Sequence, residues 1–359
     1  MSLLIFGPLP PIRGGVAKHN QELVLAVGEH ADVRAISPVK LYPDFLFPGA
    51  KQLDNSLLCV STPKVARKSW LKVIWTLVVS KPKVFMFVWW THYFAPIAVF
   101  ASFVMRLKGA KCSVFCHNVL PHDSGRLATI FTRLSLSRFA HHTVQSEAES
   151  ERLNELIGKR ADLVLPHPQM PVGTSLEPQL KSDPRSNSDT KRTFLFIGLI
   201  RQYKGAPLAA EAFREVEGED LRLRVIGECW DDELRNQITE SAANDPRITF
   251  VDDYVSEEQF LSEISAADFI LLPYTKVTGS QILATAAGFG TPVIASDIPG
   301  FKEKVRHGET GLLFSPESLN SLSSAMRQAL STNFSDSSNS EFTDWKSAGL
   351  VLAESLGLK

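Results

Sequence analysis

Short apolar and β-branched runs alternate with amphipathic stretches over the second half of the chain. Thr193–Ile197 and Leu221–Ile226 have the composition of buried strands, and similar runs occupy Ile248–Val251, Phe269–Leu272 and Val293–Ala295. Helical segments are expected between them, near Ala206, Asp231, Ser256 and Ser280. Strands that alternate with helices in this way predict a parallel, doubly wound sheet.

The first half repeats the same pattern less regularly. Strands are predicted at Leu3–Phe6, Val33–Ser37, Val84–Trp89 and Cys112–Cys116, and a helix from about Val16 to Gly28 carries one apolar face. A polar run, Lys181 to Lys191, has a composition that cannot build a core, so it marks a domain boundary. We therefore predict an α/β protein with a first domain over residues 1–168, a linker over 169–192 and a second domain over 193–335.

Charge separates the same two parts. The chain of 359 residues has a net charge of -1, but residues 1–168 hold 20 Lys and Arg against 11 Asp and Glu, and residues 169–359 hold 18 against 28. The opposite signs suggest that the two domains have different partners. No uncharged apolar run is long enough to span a bilayer and no leader sequence is evident, so we expect a cytoplasmic protein.

The turn after the strand Thr193–Ile197 is the strongest chemical signal. Gly198 frees the backbone to turn, and Arg201 and Lys204 follow before a helix that begins near Gly205. Arginine can grip phosphate oxygens with two parallel hydrogen bonds, and a helix start adds a favourable dipole, so the turn suits a diphosphate. An ordinary loop with two solvated cations explains the spacing equally well.

The sequence motif, a strand followed by Gly-x-x-Arg-x-x-Lys-Gly, resembles the start of the C-terminal domain in retaining GT-B glycosyltransferases of the family 4 group. The resemblance implies two Rossmann-like domains that face each other across a cleft, with a last helix, residues 341–359, crossing back onto the first domain. It implies that Arg201 and Lys204 bind the diphosphate of a UDP- or GDP-sugar. His117, at the end of a predicted strand, would lie near the transferred sugar.

The resemblance also implies further site residues. Gly14 and Gly15 would face the donor, although two glycines needed only for their turn are an equal alternative on local grounds. The other expected donor contacts are Gly198, Gly227, Asp253, Tyr254, Thr278, Gly279, Ser280, Gln281 and Thr285. His19 and His122 are assigned to the acceptor side.

One departure from the family weakens the donor assignment. Two glutamates eight residues apart commonly flank the loop before Gly290, and here Val277 and Thr285 hold those positions. The missing carboxylates leave the ribose contact and the identity of the donor open. No Asp-x-Asp motif and no Cys/His metal pattern are evident, so we expect neither a catalytic metal nor a cofactor, and no nucleic acid partner.

These observations predict transfer of a hexose to a hydroxyl of a saccharide or lipid-linked acceptor, with retention. Two alternatives stay open: an epimerase of nucleotide-sugars, and a degenerate protein that binds a nucleotide-sugar without catalysis. The missing glutamates count against the epimerase and favour the degenerate binder, while the Arg201/Lys204 pair argues against the latter.

A basic segment near Trp70 suggests a second partner. A helix predicted from about Lys64 would carry Lys64, Arg67, Lys68 and Lys72 beside Trp70 and Trp75. Such a face is attracted to an anionic membrane, which would place the protein peripherally on the inner surface. A helix packed on the core with a solvated basic side is the slightly favoured alternative.

Overall fold

The computed structural model describes residues 1–38, 65–68, 70–120, 125–168, 191–277, 279–334 and 343–359, with backbone only for 65–68. The chain divides into two compact units. The first unit is Met1–Pro168 with Thr343–Lys359, and the second unit is Gln169–Phe342. The expected linker lies almost wholly outside the described residues.

Seven described strands form one parallel sheet in the first unit. They are Leu3–Phe6 (β1), Val33–Pro38 (β2), Val65–Lys68 (β3), Val84–Trp89 (β4), Lys111–Cys116 (β5), His141–Val144 (β6) and Leu163–Val164 (β7). Their order is β3-β2-β1-β4-β5-β6-β7. The described helices are Gly15–Gly28 (α1), Trp70–Val79 (α2), Ala95–Leu107 (α3), Arg126–Leu136 (α4) and Glu147–Ile157 (α5), with a 3₁₀ turn at His92–Phe94.

Helices cover both faces of this sheet. Apolar residues of α2 to α5 pack on one face, among them Val73, Ala98 and Leu153. The other face is covered by α1 and by the last helix of the chain, Trp345–Ser355. A side chain at Gly349 of that last helix would place its Cβ 2.6 Å from the carbonyl oxygen of Ala26. Glycine is therefore required where the last helix crosses α1.

The second unit contains a six-stranded parallel sheet among its described residues. Its strands are Arg192–Ile197 (β8), Leu221–Ile226 (β9), Ile248–Val251 (β10), Phe269–Leu272 (β11), Val293–Ser296 (β12) and Gly311–Phe314 (β13), in the order β10-β9-β8-β11-β12-β13. Its helices are Ala206–Arg214 (α6), Asp232–Asn244 (α7), Glu257–Ala266 (α8), Gln281–Phe289 (α9), Pro299–Lys302 (α10) and Leu319–Ser331 (α11). The last helix of the chain is α12.

Local sequence accounts for the helix starts of the second unit. The Asp231 carboxylate accepts hydrogen bonds from the backbone N–H groups of Glu233 and Leu234 at the start of α7. Ser256 and Ser280 cap α8 and α9 through their hydroxyl groups. These caps satisfy backbone donors that the first helical turn leaves unpaired, which is why the sequence signals marked the helix starts correctly.

The helix predicted from about Lys64 is wrong in its first part. Val65 and Ala66 lie on strand β3 and are in register with Ala35 and Ile36 of β2, and the helix begins only at Trp70. Pairing with a neighbouring strand overrides the local helix signal here. Arg67 and Lys68 therefore do not share a helix with Lys72, and Lys64 lies outside the described residues. No helix of the described residues is both long and apolar enough to cross a bilayer.

Candidate active site

In the first unit, the order of strands reverses between β1 and β4. Ligands of open α/β sheets bind at such a point, beyond the carboxyl ends of the strands. Gly14 lies in the loop after β1 with φ of 114°, a value that favours glycine, and a Cβ there would meet no atom within 4 Å. Gly15 opens α1, and both glycines are exposed. This part of the loop therefore has room for a ligand.

His117 follows β5 and is held by Asn20 of α1. The Asn20 amide nitrogen donates to the carbonyl oxygen of Pro8 at 2.8 Å, so its Oδ1 is left to accept from His117 Nε2 at 2.9 Å. This arrangement places the proton of the neutral ring on Nε2 and leaves Nδ1 as an acceptor. Burial, with a smaller contribution from His167, lowers the pKa of His117 to about 3. At neutral pH His117 is therefore an uncharged hydrogen-bonding group.

His19 lies at the centre of a buried aromatic cluster. Its ring is within 5 Å of the ring centroids of His117, His167 and Trp345, all in edge-to-face contact. Its Nε2 lies 3.0 Å from the side-chain amide of Gln145, and its Nδ1 has no hydrogen-bond partner among the described residues. Burial lowers the pKa of His19 well below the usual value. With 2% of its surface exposed, His19 positions its neighbours, and its expected acceptor contact stays a prediction. His122 lies outside the described residues.

In the second unit, the order of strands reverses between β8 and β11, and the loops after these strands are joined. The backbone N–H of Thr275 donates to the carbonyl oxygen of Tyr203 at 2.8 Å. A Cβ at Gly205 would lie 2.3 Å from the carbonyl oxygen of Pro273, and Gly205 has φ of 67°. Only glycine therefore allows the two loops to approach so closely.

The loops after β8 and β9 also meet through glycine. A Cβ at Gly227 would lie 2.0 Å from the carbonyl oxygen of Gly198, and both residues have positive φ. These two glycines, both expected to contact the donor, are brought together by the pairing of β8 with β9. At Gly198 and Gly227 the floor of the site, meaning its surface beside the sheet, is therefore formed by backbone atoms without side chains.

Arg201 lies against the ring of Trp230, which follows β9. The guanidinium carbon is 4.2 Å from the ring centroid, a cation–π contact. Burial lowers the pKa of Arg201, while Tyr203, Cys229, Glu228 and Asp231 act in the opposite direction. The pKa of the guanidinium stays far above 7 in any case, so the group stays charged. Trp230 thus gives Arg201 a fixed apolar support.

Lys204 ends the 3₁₀ turn Gln202–Lys204 and is partly buried. Its Nζ lies 5.5 Å from the ring centroid of Tyr274 and 3.8 Å from where a Cβ would stand on Gly198. Burial, and to a lesser extent the charge of Arg201, lowers the pKa of Lys204 to about 8. The charged residue that acts on Lys204 is thus another cation. Two neighbouring, desolvated cations form a site that an anion would complete.

The start of α9 adjoins the same floor. The Ile282 side chain would lie 3.4 Å from a Cβ on Gly198, so the first turn of α9 stands beside Gly198. Gly279 is exposed, and Ser280 uses its hydroxyl to accept from the backbone N–H of Leu283. Gln281 is partly exposed, and Thr278 lies outside the described residues. The positive end of the helix dipole therefore points to the region of the two cations.

Comparison with known proteins identifies the second unit. The family model "Glycosyl transferases group 1" matches residues 191–332, which include β8 to β13 and the Arg201/Lys204 loop. Residues 191–332 are a group 1 glycosyltransferase domain.

Curated relatives that match part of this chain are named as glycosyltransferases. A GDP-mannose:glycolipid 4-beta-D-mannosyltransferase of Xanthomonas campestris pv. campestris is 34% identical over 101 residues, 28% of this chain and 29% of the relative. A D-inositol 3-phosphate glycosyltransferase of Corynebacterium efficiens is 26% identical over 200 residues, 53% of this chain and 45% of the relative. The matched region thus spans less than half the length of either relative.

Solved structures match the fold over the whole chain. Anabaena Alr3699/HepE in complex with UDP and glucose has a TM-score of 0.76 at 18% identity, with 99% of both chains covered. The lipopolysaccharide outer core galactosyltransferase WaaB has a TM-score of 0.69 at 14% identity, again with 99% of both chains covered. The fold is GT-B, as the sequence resemblance predicted, and membership of the group is confirmed for the second unit. Retention of configuration stays a prediction.

The remaining residues that were expected to contact the donor differ in their exposure. Asp253 and Tyr254 are accessible after β10, where the Asp253 carboxylate accepts from the backbone N–H of Tyr254 at 2.6 Å. Thr285 is only 1% exposed on α9, and its hydroxyl has no partner among the described residues. Val277 packs against Gly300, where a Cβ would lie 2.7 Å from Val277 Cγ1. Thr285 is therefore closed to a ligand in this conformation, and its ribose contact stays a prediction.

Two residues of the site escaped the sequence analysis. Trp230 supports Arg201, and Asp252 joins two loops because its carboxylate accepts from the backbone N–H of Cys229 at 2.8 Å and from Arg235 Nε at 2.6 Å. Both follow strand ends at the carboxyl edge of the sheet. This position could have identified both residues from the sequence, because polar and aromatic residues at that edge tend to belong to ligand sites. No group of three or more His, Cys, Asp or Glu residues suited to a metal occurs among the described residues.

Proposed function

We propose that this protein is a glycosyltransferase that moves a hexose from a UDP- or GDP-sugar to a hydroxyl of a saccharide or lipid-linked acceptor. The reaction would retain the configuration of the sugar and would serve polysaccharide or glycolipid assembly of a bacterial type. The observation that carries the proposal is the pair Arg201 and Lys204, two desolvated cations at the switch point of a group 1 glycosyltransferase domain.

The chemistry of this pair suits departure of a nucleoside diphosphate. As the bond between the sugar and the phosphate breaks, negative charge grows on the leaving diphosphate. Positive groups already held in place by Trp230 and Tyr274 stabilise that charge without reorganisation. Because their interaction strengthens in the transition state, the cations lower the barrier to transfer. The proposal requires neither a cofactor nor a metal.

Named ligands of similar proteins support a nucleotide-sugar donor. One curated relative is named for GDP-mannose, and solved structures with the same fold contain UDP and UDP-glucose. Both nucleotides share the diphosphate that Arg201 and Lys204 would bind. We assign the donor to this class and leave the base and the sugar to experiment.

His117 has a separate role in the proposal. Since its Nε2 is committed to Asn20 and its ring is neutral at pH 7, it would accept a hydrogen bond from a sugar hydroxyl through Nδ1. A ring with a pKa of about 3 is not suited to act as a general acid at neutral pH. Loss of His117 should therefore weaken sugar discrimination more than nucleotide binding.

One experiment separates the proposal from its rivals. Nucleotide-sugars are screened for thermal stabilisation of the full chain, and those that bind are incubated with and without saccharide and lipid-linked acceptors. A glycosyltransferase releases nucleoside diphosphate when an acceptor is present, with a glycosylated product. Conversion of the donor sugar without release would indicate an epimerase, and binding without any conversion would indicate a non-catalytic binder. Either result would overturn the proposal.

A further inference from the structure

Exposed apolar side chains are concentrated on one side of the first unit. Fifteen large hydrophobic side chains are exposed among the described residues, and all except Leu25 and Val351 lie on α2, α3 and α4 or, for Tyr93, directly before α3. A surface helix normally turns its polar side outward and its apolar side toward the core. These three helices present apolar side chains both toward the sheet and toward solvent.

The outward apolar positions of α2 follow the helical repeat. Leu71, Trp75 and Val78 are spaced by four and three residues, and the first two are 81% and 66% exposed. On the opposite side of the helix, Val73 and Leu77 are fully buried against the sheet. The outward stripe is therefore a second apolar surface, separate from the face that packs on the sheet and stabilises the fold.

The neighbouring helices carry the same second stripe. Phe100, Phe103 and Leu107 are exposed along α3, and Phe131 and Leu134 are exposed along α4. Because α3 packs beside both α2 and α4, the three stripes lie next to each other on the side of the sheet that the helices cover. A contiguous apolar surface of this kind marks an interaction site.

Lys108, directly after α3, joins α3 to the end of α2. Its ammonium group donates hydrogen bonds to the carbonyl oxygens of Leu77, Val78 and Ser80, which are the free acceptors at the end of α2. A cation at this position also complements the helix dipole. The relative placement of the stripes on α2 and α3 is thus set by the fold.

The segment that holds these three helices is rich in cations and poor in anions. Residues 70–138, which contain the three helices, hold nine Lys and Arg and a single carboxylate, Asp123. Lys72, Arg126 and Arg133 are exposed on the same helices as the apolar stripes. Apolar and aromatic side chains flanked by cations are typical of helices that lie in the interface of an anionic bilayer.

We propose that α2, α3 and α4 form a docking surface for an anionic lipid bilayer, in which the outward apolar side chains enter the headgroup region and the flanking cations bind lipid phosphates. A second copy of the chain is a poor occupant, because a symmetric contact would bring two surfaces of the same positive sign together. The proposal is independent of the proposed glycosyl transfer. It replaces the basic face expected from the sequence, because Lys72 is the one of its four cations that lies on a described helix.

Binding of the full chain to vesicles tests the surface. Vesicles of equimolar phosphatidylglycerol and phosphatidylcholine are compared with vesicles of phosphatidylcholine alone, by co-sedimentation at low and high salt. The parent protein should bind the anionic vesicles and should be released by salt. The triple variant Trp75→Ser, Phe103→Ser and Phe131→Ser should bind at least about tenfold more weakly, because these residues supply buried apolar area at the interface.

Matched controls separate the surface from general effects. The double variant Leu25→Ser and Val351→Ser removes exposed apolar side chains elsewhere and should bind like the parent. Lys72→Gln, Arg126→Gln and Arg133→Gln should weaken binding, whereas Arg34→Gln, Lys346→Gln and Lys359→Gln remove the same charge elsewhere and should have little effect. Circular dichroism checks that each variant is folded.

Three results would overturn the proposal. Absence of binding by the folded parent would do so, as would equal binding by the parent and the triple surface variant. A parent that self-associates in sedimentation velocity, dissociates when the stripe is changed and ignores vesicles would show that a second copy is the occupant.

Discussion

The guanidinium of Arg201 and the indole of Trp230 are in face contact at 4.2 Å, although 29 positions separate them in the chain. The contact exists because Arg201 follows β8 and Trp230 follows the adjacent strand β9, so that both loops leave the sheet at the same edge. The indole restricts the guanidinium to one region of the site, and among the described residues no hydrogen bond occupies its N–H groups. Preorganisation of this kind reduces the ordering cost when the ligand binds.

Replacement of Trp230 should therefore impair a function attributed to Arg201. For Trp230→Ala we expect kcat/KM for the donor to fall about tenfold, since a desolvated cation–π contact is worth about 1–2 kcal/mol. Trp230→Phe should keep most of the activity because it retains an aromatic face. Steady-state kinetics measures the effect, with the melting temperature as the control for folding. Equal activity of the alanine variant and the parent would show that the contact does not organise the site.

Removal of the cations themselves should have a larger effect. Arg201→Ala and Lys204→Ala should each lose about 100- to 1000-fold in kcat, as expected for a preorganised group that stabilises transition-state charge. Arg201→Lys should recover only part of this loss, because lysine lacks the paired donors of the guanidinium. Lys302→Ala, which removes an exposed cation paired with Asp297, is the matched control and should turn over normally. Parental turnover by both site variants would refute the assignment.

Lys204 should impose a pH limit on binding of nucleoside diphosphate. The free protein holds Lys204 with a pKa of about 8, and the diphosphate needs the protonated form. The affinity for UDP or GDP should therefore be nearly constant between about pH 7 and 8 and fall by up to about tenfold per unit above about pH 8. Isothermal titration calorimetry measures both the affinity and the accompanying proton uptake. Lys204→Arg stays charged over this range, so its affinity should not fall; a parallel fall would assign the titration to another group.

The same pKa predicts how Lys204 affects stability. The lysine has a pKa near 10.4 in an unfolded chain, so between about pH 8 and this value the unfolded state binds more protons. Stability attributable to Lys204 therefore rises with pH in this window and is lowest below about pH 8, where the folded protein holds a desolvated charge. Lys204→Met should melt at a higher temperature than the parent at pH 7 in the absence of nucleotide. A lower melting temperature would show that the charge is compensated.

Thr285 permits a test of the missing ribose contact. A glutamate at this buried position would place an unpaired carboxylate inside the domain, so Thr285→Glu should lower the melting temperature and should not tighten nucleotide binding unless α9 shifts. Thr285→Val removes an unpaired hydroxyl at nearly constant volume and should stabilise the protein by about 1 kcal/mol. Chemical denaturation and nucleotide titration of the two variants measure these effects. Tighter binding by folded Thr285→Glu would restore the contact expected from the sequence.

The histidine cluster should make the first unit sensitive to acid. Burial lowers the pKa values of His19, His117 and His167, so each stays neutral in the folded protein where the unfolded chain takes up a proton. Stability should fall as the pH decreases from about 6.5, by as much as about 1.4 kcal/mol per unit for each histidine. Trp345 lies against His19, so its fluorescence reports the transition. His117→Gln should show a shallower dependence on pH; an unchanged slope would contradict this origin.

Much of the fold was accessible from sequence because buried parallel strands are short, continuous apolar runs. Phe194–Ile197 and Phe269–Leu272 are buried at every position, so neither needs distant contacts to be recognised. Arg201 and Lys204 were accessible for the same reason: a strand, a glycine and two cations are adjacent in the chain. Local order along the chain by itself determined these features.

Only the tertiary structure decided which distant residues meet. Strand β3 forms because β2 offers it a hydrogen-bonding edge, and this pairing decided against the helix predicted from Lys64. Trp230 meets Arg201 because β8 and β9 are adjacent, and Trp345 meets His19 because α12 packs on α1. In the sequence, the apolar positions on the two sides of α2, α3 and α4 look alike. Burial on one side and exposure on the other depend on the sheet that these helices cover, which no single stretch of the chain encodes.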